Sequence, residues 1–190
     1  MKALTIATRN PGKVHEVRLA LQKLSGWRID PLPAGIPEID ESGTTFIENA
    51  TLKAAHYSRF VDGLALADDS GLCVRALGGR PGVWTDRYGP TSDLRNQRIL
   101  NELQGVTDRQ ATFCCAFAIA RSGSVIWTTE GKLDGQISLA AAGNAGFGFD
   151  PIFMVPELGK TLAELTSEDK NHWSARGRTL NELKRFLSMI

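Results

Sequence analysis

Two adjacent carboxylates, Asp68 and Asp69, are the feature of this sequence that most strongly suggests chemistry. They follow the small apolar run Ala65-Leu66-Ala67 and precede Ser70-Gly71. The apolar run predicts a buried strand, and Asp-Asp-Ser-Gly predicts the end of that strand, where α/β enzymes place their chemistry. Because neighbouring carboxylates repel one another, a divalent cation would keep both ionised. An exposed Asp-Asp turn is the alternative interpretation.

A possible anion site follows the first predicted strand, Ala3-Leu4-Thr5-Ile6-Ala7. The stretch is Thr8-Arg9-Asn10-Pro11-Gly12-Lys13, and apolar residues at helical spacing come after it. Backbone N–H groups of the Pro-Gly turn and the charge of Lys13 could hold an anion at the start of that helix. The stretch is not a Walker A motif, because the leading glycine and the Ser or Thr after lysine are missing. An ordinary strand-to-helix turn with a solvated lysine is the alternative.

The clearest predicted helix begins at Thr44 or Thr45, with Glu48 in position to complete a capping box. Asn49 and Lys53 lie one turn apart and away from the apolar face of this helix. They either face solvent or belong to a site. Just before the helix, the loop of residues 38–41 collects negative charge, and a solvated acidic loop is the simplest interpretation of it.

Residues 140–150 form a glycine-rich segment that frames Phe147 and Phe149. Such a loop lets the backbone approach a ligand and offers an aromatic ring for stacking. It is not a dinucleotide fingerprint, since no strand-glycine-helix context fits. Farther along, Lys170 and Arg176 flank the start of the last predicted helix, which makes a second plausible anion site.

Composition narrows the function classes. The chain has 190 residues and a formal net charge of +1, which argues against a large surface for DNA or RNA. Its three cysteines, Cys73, Cys114 and Cys115, have no metal-type or disulfide spacing, so buried thiols in a reducing compartment are expected. No apolar run is long enough to span a bilayer, and the N-terminus is too short for a signal peptide. A cytoplasmic protein that binds no membrane is predicted.

Several motifs taken together resemble the inosine triphosphate pyrophosphatase family, which hydrolyses non-standard purine nucleoside triphosphates. The motifs that carry this resemblance, in chain order, are Thr8-Arg9-Asn10-Pro11-Gly12-Lys13, Thr45-Phe46-Ile47-Glu48-Asn49-Ala50 with Lys53, Ala67-Asp68-Asp69-Ser70-Gly71-Leu72, Gly79-Arg80-Pro81-Gly82-Val83 with Arg87-Tyr88, Gly146-Phe147-Gly148-Phe149-Asp150-Pro151-Ile152-Phe153, and Lys170-Asn171 with Ser174 and Arg176. The resemblance runs nearly end to end.

The resemblance implies a fold and an assembly. The expected fold is α/β, with an elongated mixed β-sheet and flanking helices that form two lobes around a central cleft. A single domain of this kind would cover residues 1–190. The expected assembly is a homodimer, and the expected partner is a nucleoside triphosphate rather than a nucleic acid.

The resemblance also implies a reaction and its residues. Asp69 resembles the general base that activates water for attack at the α-phosphorus, which releases pyrophosphate and leaves a monophosphate. Glu41, Asp68 and Asp69 resemble ligands of Mg²⁺. Phe149 takes the position of the aromatic residue that stacks on the base. The residues expected to bind substrate are Thr8, Arg9, Asn10, Lys13, Lys53, Ser70, Phe147, Gly148, Phe149, Asp150, Lys170, Ala175 and Arg176.

Two runs depart from the family pattern. Ser174-Ala175-Arg176 replaces Ser-His-Arg, and Ala175 cannot donate a hydrogen bond to the 6-oxo edge of a purine. Thr85-Asp86-Arg87 replaces Ser-Ala-Arg and adds a carboxylate, which could blunt a phosphate contact or pair with Arg87. The sequence therefore leaves two alternatives to the family activity: the same pyrophosphatase with a shifted base preference, and a nucleotide-binding protein without turnover.

Overall fold

The structure, a computed structural model, describes all residues from Met1 to Ile190. Its strands are β1 (Lys2–Ile6), β2 (Trp27–Pro31), β3 (Leu64–Val74), β4 (Gln110–Arg121), β5 (Ser124–Ile137), β6 (Phe153–Val155) and β7 (Lys160–Thr161). Its α-helices are α1 (Pro11–Leu21), α2 (Phe46–Tyr57), α3 (Ser92–Glu102), α4 (Ser167–Trp173) and α5 (Ala175–Met189). Short 3₁₀ helices cover Arg75–Leu77, Gly82–Arg87 and Leu162–Glu164.

The strands form one seven-stranded sheet in the order β2-β1-β3-β4-β5-β6-β7. β1 runs parallel to β2 and β3, with Leu4 opposite Ile29 and Leu64, whereas β6 pairs antiparallel with β5 and β7. The three prolines among residues 27–39 predict an extended connector or an edge strand, since proline cannot donate to a central ladder. Residues Trp27–Pro31 of this segment form the edge strand β2. The mixed sheet with its helices confirms the predicted α/β class.

Strand β3 corrects one sequence prediction. Asp68 and Asp69 lie inside β3 rather than at its end, and the strand continues to Val74. β3 is an inner strand, with β1 and β4 as its neighbours in the sheet. Both side chains are buried, so each needs a partner of its own.

Helix α2 begins as predicted and ends early. Thr45 is its N-cap, and the reciprocal hydrogen bonds between Thr45 and Glu48 complete the capping box. The apolar periodicity predicts a helix that continues to Val61, but α2 ends at Tyr57, about one turn earlier, because the chain turns there toward β3. The cap fixes where the first turn of α2 begins, and this sets the direction of the side chains that follow.

Residues 111–121 are rich in β-forming residues and Ser122-Gly123 is a turn signal, so the sequence predicts a hairpin with residues 124–130. Strands β4 and β5 are neighbours in the sheet and form this hairpin. They are joined by Ser122 and Gly123, whose φ angles of 50° and 88° are both positive, as a type I′ turn requires. The sequence also allows this second strand to continue past Gly131 over residues 131–138, and β5 does continue to Ile137.

The chain divides into two compact units. The first unit contains residues Met1–Asp69, Cys115–Gly131 and Thr179–Ile190, and its buried apolar residues include Leu4, Ile6, Val17, Leu21, Phe117, Ile119, Leu183 and Leu187. The second unit contains Ser70–Cys114 and Lys132–Arg178, and its buried apolar residues include Leu72, Ile99, Leu103, Phe149, Ile152 and Phe153. Each unit therefore has a core of its own.

Of the three cysteines, Cys114 and Cys115 are buried and Cys73 is half-buried. None of the helices combines the length and the apolar character that crossing a membrane would require.

Candidate active site

The first unit contains a group of charged side chains that we call the carboxylate–lysine cluster. Four of its members are buried, and the fifth, Glu41, is half-buried in the loop before α2. The members are Lys13, Glu41, Lys53, Asp68 and Asp69. The structure thus brings together residues from α1, α2, β3 and a loop, all of which the sequence predicted to serve one site.

On one side of this cluster, Lys13 Nζ lies 2.9 Å from Asp68 Oδ2. Asn10 is the N-cap of α1, and its Oδ1 accepts hydrogen bonds from the N–H groups of Gly12 at 3.0 Å and Lys13 at 3.2 Å. Thr8 Oγ1 in turn accepts from the N–H of Asn10 at 3.2 Å. Thr8 and Asn10 therefore shape the turn that delivers Lys13, whatever contact they make with a ligand.

The second carboxylate of the doublet has different partners. Asn49 Nδ2 donates to Asp69 Oδ2 at 3.1 Å, while Lys53 Nζ lies 3.3 Å from Asp69 Oδ1 and 2.8 Å from Glu41 Oε2. Asn49 and Lys53 are both buried, so the solvent-facing interpretation of this pair is wrong. The N–H of Gly43 holds Asn49 Oδ1 at 2.8 Å, and a Cβ at Gly43 would lie 2.6 Å from that oxygen, so the close approach requires glycine.

The surroundings of Asp69 and Lys53 shift the affinity of both groups for protons. Burial raises the pKa of Asp69 above its usual range, and Glu41 acts in the same direction, although Lys53 and Lys13 oppose it. Burial alone would lower the pKa of Lys53, but the neighbouring carboxylates outweigh it and raise that pKa. Lys53 therefore stays cationic, while Asp69 is a carboxylate with more affinity for a proton than an exposed aspartate, which suits a general base.

The donor set of this cluster fits a divalent cation only in part. Glu41 and Asp69 share one ammonium, that of Lys53, so both carboxylates already face a common positive charge. Asp68 is bound instead to Lys13, and no three His, Cys, Asp or Glu side chains are grouped as metal ligands. The predicted set of three carboxylates on one ion is therefore not assembled. Two carboxylates suffice for Mg²⁺, which takes its remaining ligands from water and substrate phosphates.

Two side chains hold the loop that carries Glu41. Arg9 forms an ion pair with Glu38 and donates from Nη2 to the carbonyl oxygen of Ile36 at 2.6 Å. His56 of α2 contacts the carbonyl oxygen of Pro37 at 2.8 Å. Arg9, which the sequence predicted as a substrate contact, thus also anchors this loop. No local pattern in the sequence points to this role of His56, because its partner is a backbone carbonyl that lies far away in the chain.

The second unit contains another group of predicted residues, which we call the loop–aromatic cluster: Ser70, Phe147, Asp150, Lys170 and Arg176. Asp150 Oδ2 accepts from the N–H of Phe147 at 2.8 Å and lies 2.6 Å from Lys170 Nζ. The cations of Lys170 and Arg176 lie 4.8 Å and 5.9 Å from the centre of the Phe147 ring. Arg176 Nη2 also donates to Ser70 Oγ at 2.9 Å.

The backbone of the glycine-rich segment is essential to this second cluster. Gly146 has a φ angle of +76°, and a Cβ there would lie 2.1 Å from Asp150 Oδ2. Any larger residue at this position would push away the carboxylate that receives both the Phe147 N–H and the Lys170 ammonium. The close approach at Gly146 is to a side chain of the same loop, so the glycine shapes the loop around Asp150.

The burial of Phe149 contradicts its predicted role in stacking on a base. Its side chain is 1% exposed and belongs to the core of the second unit, so neither face of the ring can receive a base. Phe147, two residues earlier, is only half-buried. Phe147 has a glycine on each side, and this was the signal in the sequence that distinguished it from Phe149.

The two departures from the family pattern also have defined surroundings. Ala175 is the first residue of α5 and is 1% exposed, so its methyl group is packed rather than facing solvent. Asp86 lies 3.9 Å from Arg95, whereas the Arg87 guanidinium lies over the Trp84 ring at 4.7 Å. The added carboxylate therefore has Arg95 as a partner.

Comparison with known proteins shows the family of the chain. The Ham1 family model matches residues 4–186. The chain is 45% identical over 184 residues to the dITP/XTP pyrophosphatase of Synechocystis sp., which covers 96% of this chain and 94% of that protein. It is 42% identical over 194 residues to the dITP/XTP pyrophosphatase of Bacillus subtilis, with 98% of each protein covered.

Solved structures give the same result. The HAM1 protein from Coxiella burnetii matches with a TM-score of 0.89 and 36% identity over 100% of both chains. The Ham1 protein of Staphylococcus aureus matches with a TM-score of 0.85 and 35% identity over 98% of both chains. These matches confirm the resemblance inferred from the motifs. The chain belongs to the Ham1 family.

Proposed function

We propose that this protein is a nucleoside triphosphate pyrophosphatase that hydrolyses non-standard purine nucleotides, namely dITP, XTP and ITP, to the monophosphate and pyrophosphate. Such an enzyme would remove these compounds from the nucleotide pool. The observation that carries the proposal is the buried Asp69, held by Asn49 and Lys53 and sharing that lysine with Glu41. The names of the relatives, dITP/XTP pyrophosphatase, support the substrate class.

The carboxylate–lysine cluster has the charges that a triphosphate needs. Lys13 and Lys53 supply two buried positive charges, and charged donors of this kind bind phosphate oxygens strongly. Thr8, Arg9 and Asn10 belong to the same turn and are proposed as further phosphate contacts. Each lysine is already paired with a carboxylate, so it is held in place before the substrate arrives.

Glu41 and Asp69 are the residues that would hold Mg²⁺. When bound there, the ion would neutralise charge on the phosphate oxygens. Asp68 is assigned a different role, because its partner is Lys13: it orients the ammonium that faces the triphosphate.

Asp69 is proposed as the general base. It would take a proton from a water molecule that attacks the α-phosphorus, and the bond from that phosphorus to the pyrophosphate would break. Because burial raises the pKa of Asp69, it accepts this proton more readily than an exposed aspartate would. Asn49 and Lys53 keep the carboxylate in a fixed orientation during the transfer.

The loop–aromatic cluster is proposed to bind the base. The half-buried ring of Phe147 would stack on the purine, while Lys170 and Arg176 would donate to its polar edge. Ser70 orients Arg176, and Asp150 orients both Lys170 and the Phe147 backbone. Gly148 contributes its backbone to the same loop.

A shifted base preference is the second candidate, and one observation favours it. Ala175 is packed and apolar where a polar contact to the base would be expected. The loss of one hydrogen bond to a substrate group that remains buried costs roughly 1–3 kcal/mol of discrimination. This second candidate has the same reaction and differs only in which nucleoside triphosphates are hydrolysed most efficiently.

The test is pyrophosphate release from dITP, XTP, ITP and the standard triphosphates, with Mg²⁺ and with a chelator. The proposal expects release from the non-standard purine nucleotides that depends on the metal. Comparable turnover of the standard purine triphosphates would favour the shifted preference. Tight binding without release from any of the nucleotides would reject both in favour of a non-catalytic binder.

A pair of variants tests the metal assignment. Glu41→Gln should raise the Mg²⁺ concentration required for half-maximal activity by about tenfold, because one of two charged ligands is lost. Glu157→Gln, which changes an exposed residue in the second unit, is the matched control and should leave that concentration unchanged. Equal metal requirements in the two variants would reject Glu41 as a ligand.

The assembly and location that the family resemblance implies are part of the same proposal. We propose one functional domain over residues 1–190 that forms a cytoplasmic homodimer and binds no nucleic acid. A single cooperative thermal transition and a dimer mass by light scattering would support the domain and the assembly.

A further inference from the structure

Asn96 is a buried polar residue with an incomplete set of hydrogen bonds. It lies on α3 and is 5% exposed. Its Nδ2 donates to the carbonyl oxygen of Gly148 at 3.1 Å. Its Oδ1 is buried and has no hydrogen-bond partner, and Asn96 Oδ1 is the one buried side-chain polar atom of the chain in this situation.

The orientation of this amide is set by Gly148. Turning the amide over would bring Oδ1 against the Gly148 carbonyl, and two acceptors would then face each other. The amide therefore keeps its N–H toward the loop, although its oxygen remains without a donor. A buried acceptor without a partner destabilises the folded state, so the amide at this position offsets part of the stability that its bond to Gly148 contributes.

The bond from Asn96 is made at a critical point of the loop. Gly148 follows directly after Phe147, and its φ angle of +64° is one that other residues rarely adopt. Phe147 is thus held on both sides: its own N–H is bound to Asp150, and the carbonyl of the next residue is bound to Asn96. Nearby, the loop and the start of α3 line a cavity of about 330 Å³, so packing alone does not fix the loop against the helix.

We propose that Asn96 is a positioning residue for base recognition: its Nδ2 holds the Gly148 carbonyl and thereby sets the orientation of the Phe147 ring for stacking on the purine. This inference rests on the proposed function, because it assigns Phe147 to the base. The positioning role explains why a polar residue occupies position 96 although its side-chain oxygen has no hydrogen-bond donor.

The test replaces Asn96 by leucine, which has a similar size and no donor. KM for dITP should rise by about tenfold while kcat changes little, because the contact to the base helps binding in the ground state and the transition state alike. Stability toward urea should change little, since removal of the unpartnered oxygen offsets the loss of the hydrogen bond to Gly148. Amide exchange at residues 145–150 should become faster in the protein without substrate.

Two further variants make the test specific. Asn96→Asp keeps the shape but turns the donor into an acceptor that repels Gly148, so it should raise KM at least as much as the leucine variant does. Gln97→Leu, on the exposed neighbour in the same helix, is the matched control and should leave KM and loop exchange unchanged.

The outcomes separate this inference from the proposed function. Unchanged KM and unchanged loop exchange in Asn96→Leu would overturn the positioning role, as would a loss of stability with no change in KM. If the wild-type protein turned over no nucleotide, the proposed function would be rejected. Faster amide exchange of the loop in Asn96→Leu would in that case still show that Asn96 holds the loop.

Discussion

The two clusters differ in the way their functional side chains are held. In the carboxylate–lysine cluster, buried charges sit on regular elements, with Lys13 on α1, Lys53 on α2 and Asp69 on β3. Each charge is fixed by an oppositely charged partner. The loop–aromatic cluster also contains a buried ion pair, between Asp150 and Lys170, and Lys170 and Arg176 lie on α4 and α5. Its aromatic ring, however, belongs to an irregular glycine-containing segment, whose form depends on the hydrogen bond from the Phe147 N–H to the Asp150 carboxylate.

This difference matches two different chemical tasks. A triphosphate is the same in every nucleotide, so rigid elements with preorganised charges suit it, and the electrostatic term is usually the largest in such catalysis. The base is the part of the substrate that varies between nucleotides, and a loop can change its contacts at small cost to the fold. We therefore expect changes in the first cluster to affect the rate and changes in the second to affect the choice of substrate.

The largest effect is expected from Asp69→Asn. Loss of the general base should reduce kcat by about 10²–10⁴-fold, with only a small change in KM. Steady-state kinetics on dITP gives both constants. The control is Asp62→Asn, which changes an exposed aspartate of the same unit and should have no effect. A large rise in KM with kcat intact would place Asp69 in binding and break the division between the clusters.

Lys53→Gln tests the ion pairs of the first cluster. Without this cation the carboxylates of Glu41 and Asp69 have no shared positive charge, and breaking a buried pair costs about 3–5 kcal/mol of folding free energy. Urea denaturation measures the loss, and added Mg²⁺ should restore part of it if Glu41 and Asp69 bind the metal. Lys23→Gln, at an exposed position after α1, serves as the control. Equal stability of the two variants would show that the cluster is not held by its charges.

Phe149 and Phe147 test the second cluster as a pair. Phe149→Ala should lower the free energy of unfolding by about 3–5 kcal/mol, because it empties a core position. Phe147→Ala should lower it by less than about 1 kcal/mol but raise KM for dITP by about tenfold. Thermal unfolding and kinetics on both variants decide the assignment. If Phe149→Ala raised KM and Phe147→Ala did not, Phe149 rather than Phe147 would be the residue that stacks on the base.

The smallest effect is expected from Glu102→Gln, which removes an ion pair at the surface of the second unit. Burial acts to raise the pKa of Glu102, but hydrogen bonds from Tyr88 and Arg98 outweigh it and lower that pKa. A carboxyl with a lowered pKa contributes stability above its unfolded pKa and loses it as the pH falls through the folded pKa.

The stability of wild type and Glu102→Gln should therefore differ at pH 7, by less than about 1 kcal/mol, and converge as the pH falls below 4.5. Thermal unfolding across this pH range measures the difference. A difference that persisted in acid would show that the side chain acts through packing instead of charge.

Local signals predicted the elements of this fold well. The capping box of Thr45 and Glu48 and the turn Ser122-Gly123 depend on a few adjacent residues, and both are observed as predicted. The sequence places the end of β3 at Asp68 and Asp69 because an Asp-Asp-Ser-Gly run has the composition of a turn, whereas the strand continues to Val74. The run stays in a strand because Lys13 and Lys53, distant in the chain, neutralise both carboxylates.

The order of the motifs in the sequence determined the family and the residue types of both clusters, because motifs can be recognised along the chain without knowing which residues are in contact. The tertiary structure decided which charges are paired, that Asn49 and Lys53 point inward, and that Phe147 instead of Phe149 has an accessible ring. The physical reason is that burial and ion pairing depend on neighbours far apart in the chain, whereas capping and turn formation depend on neighbours within a few residues.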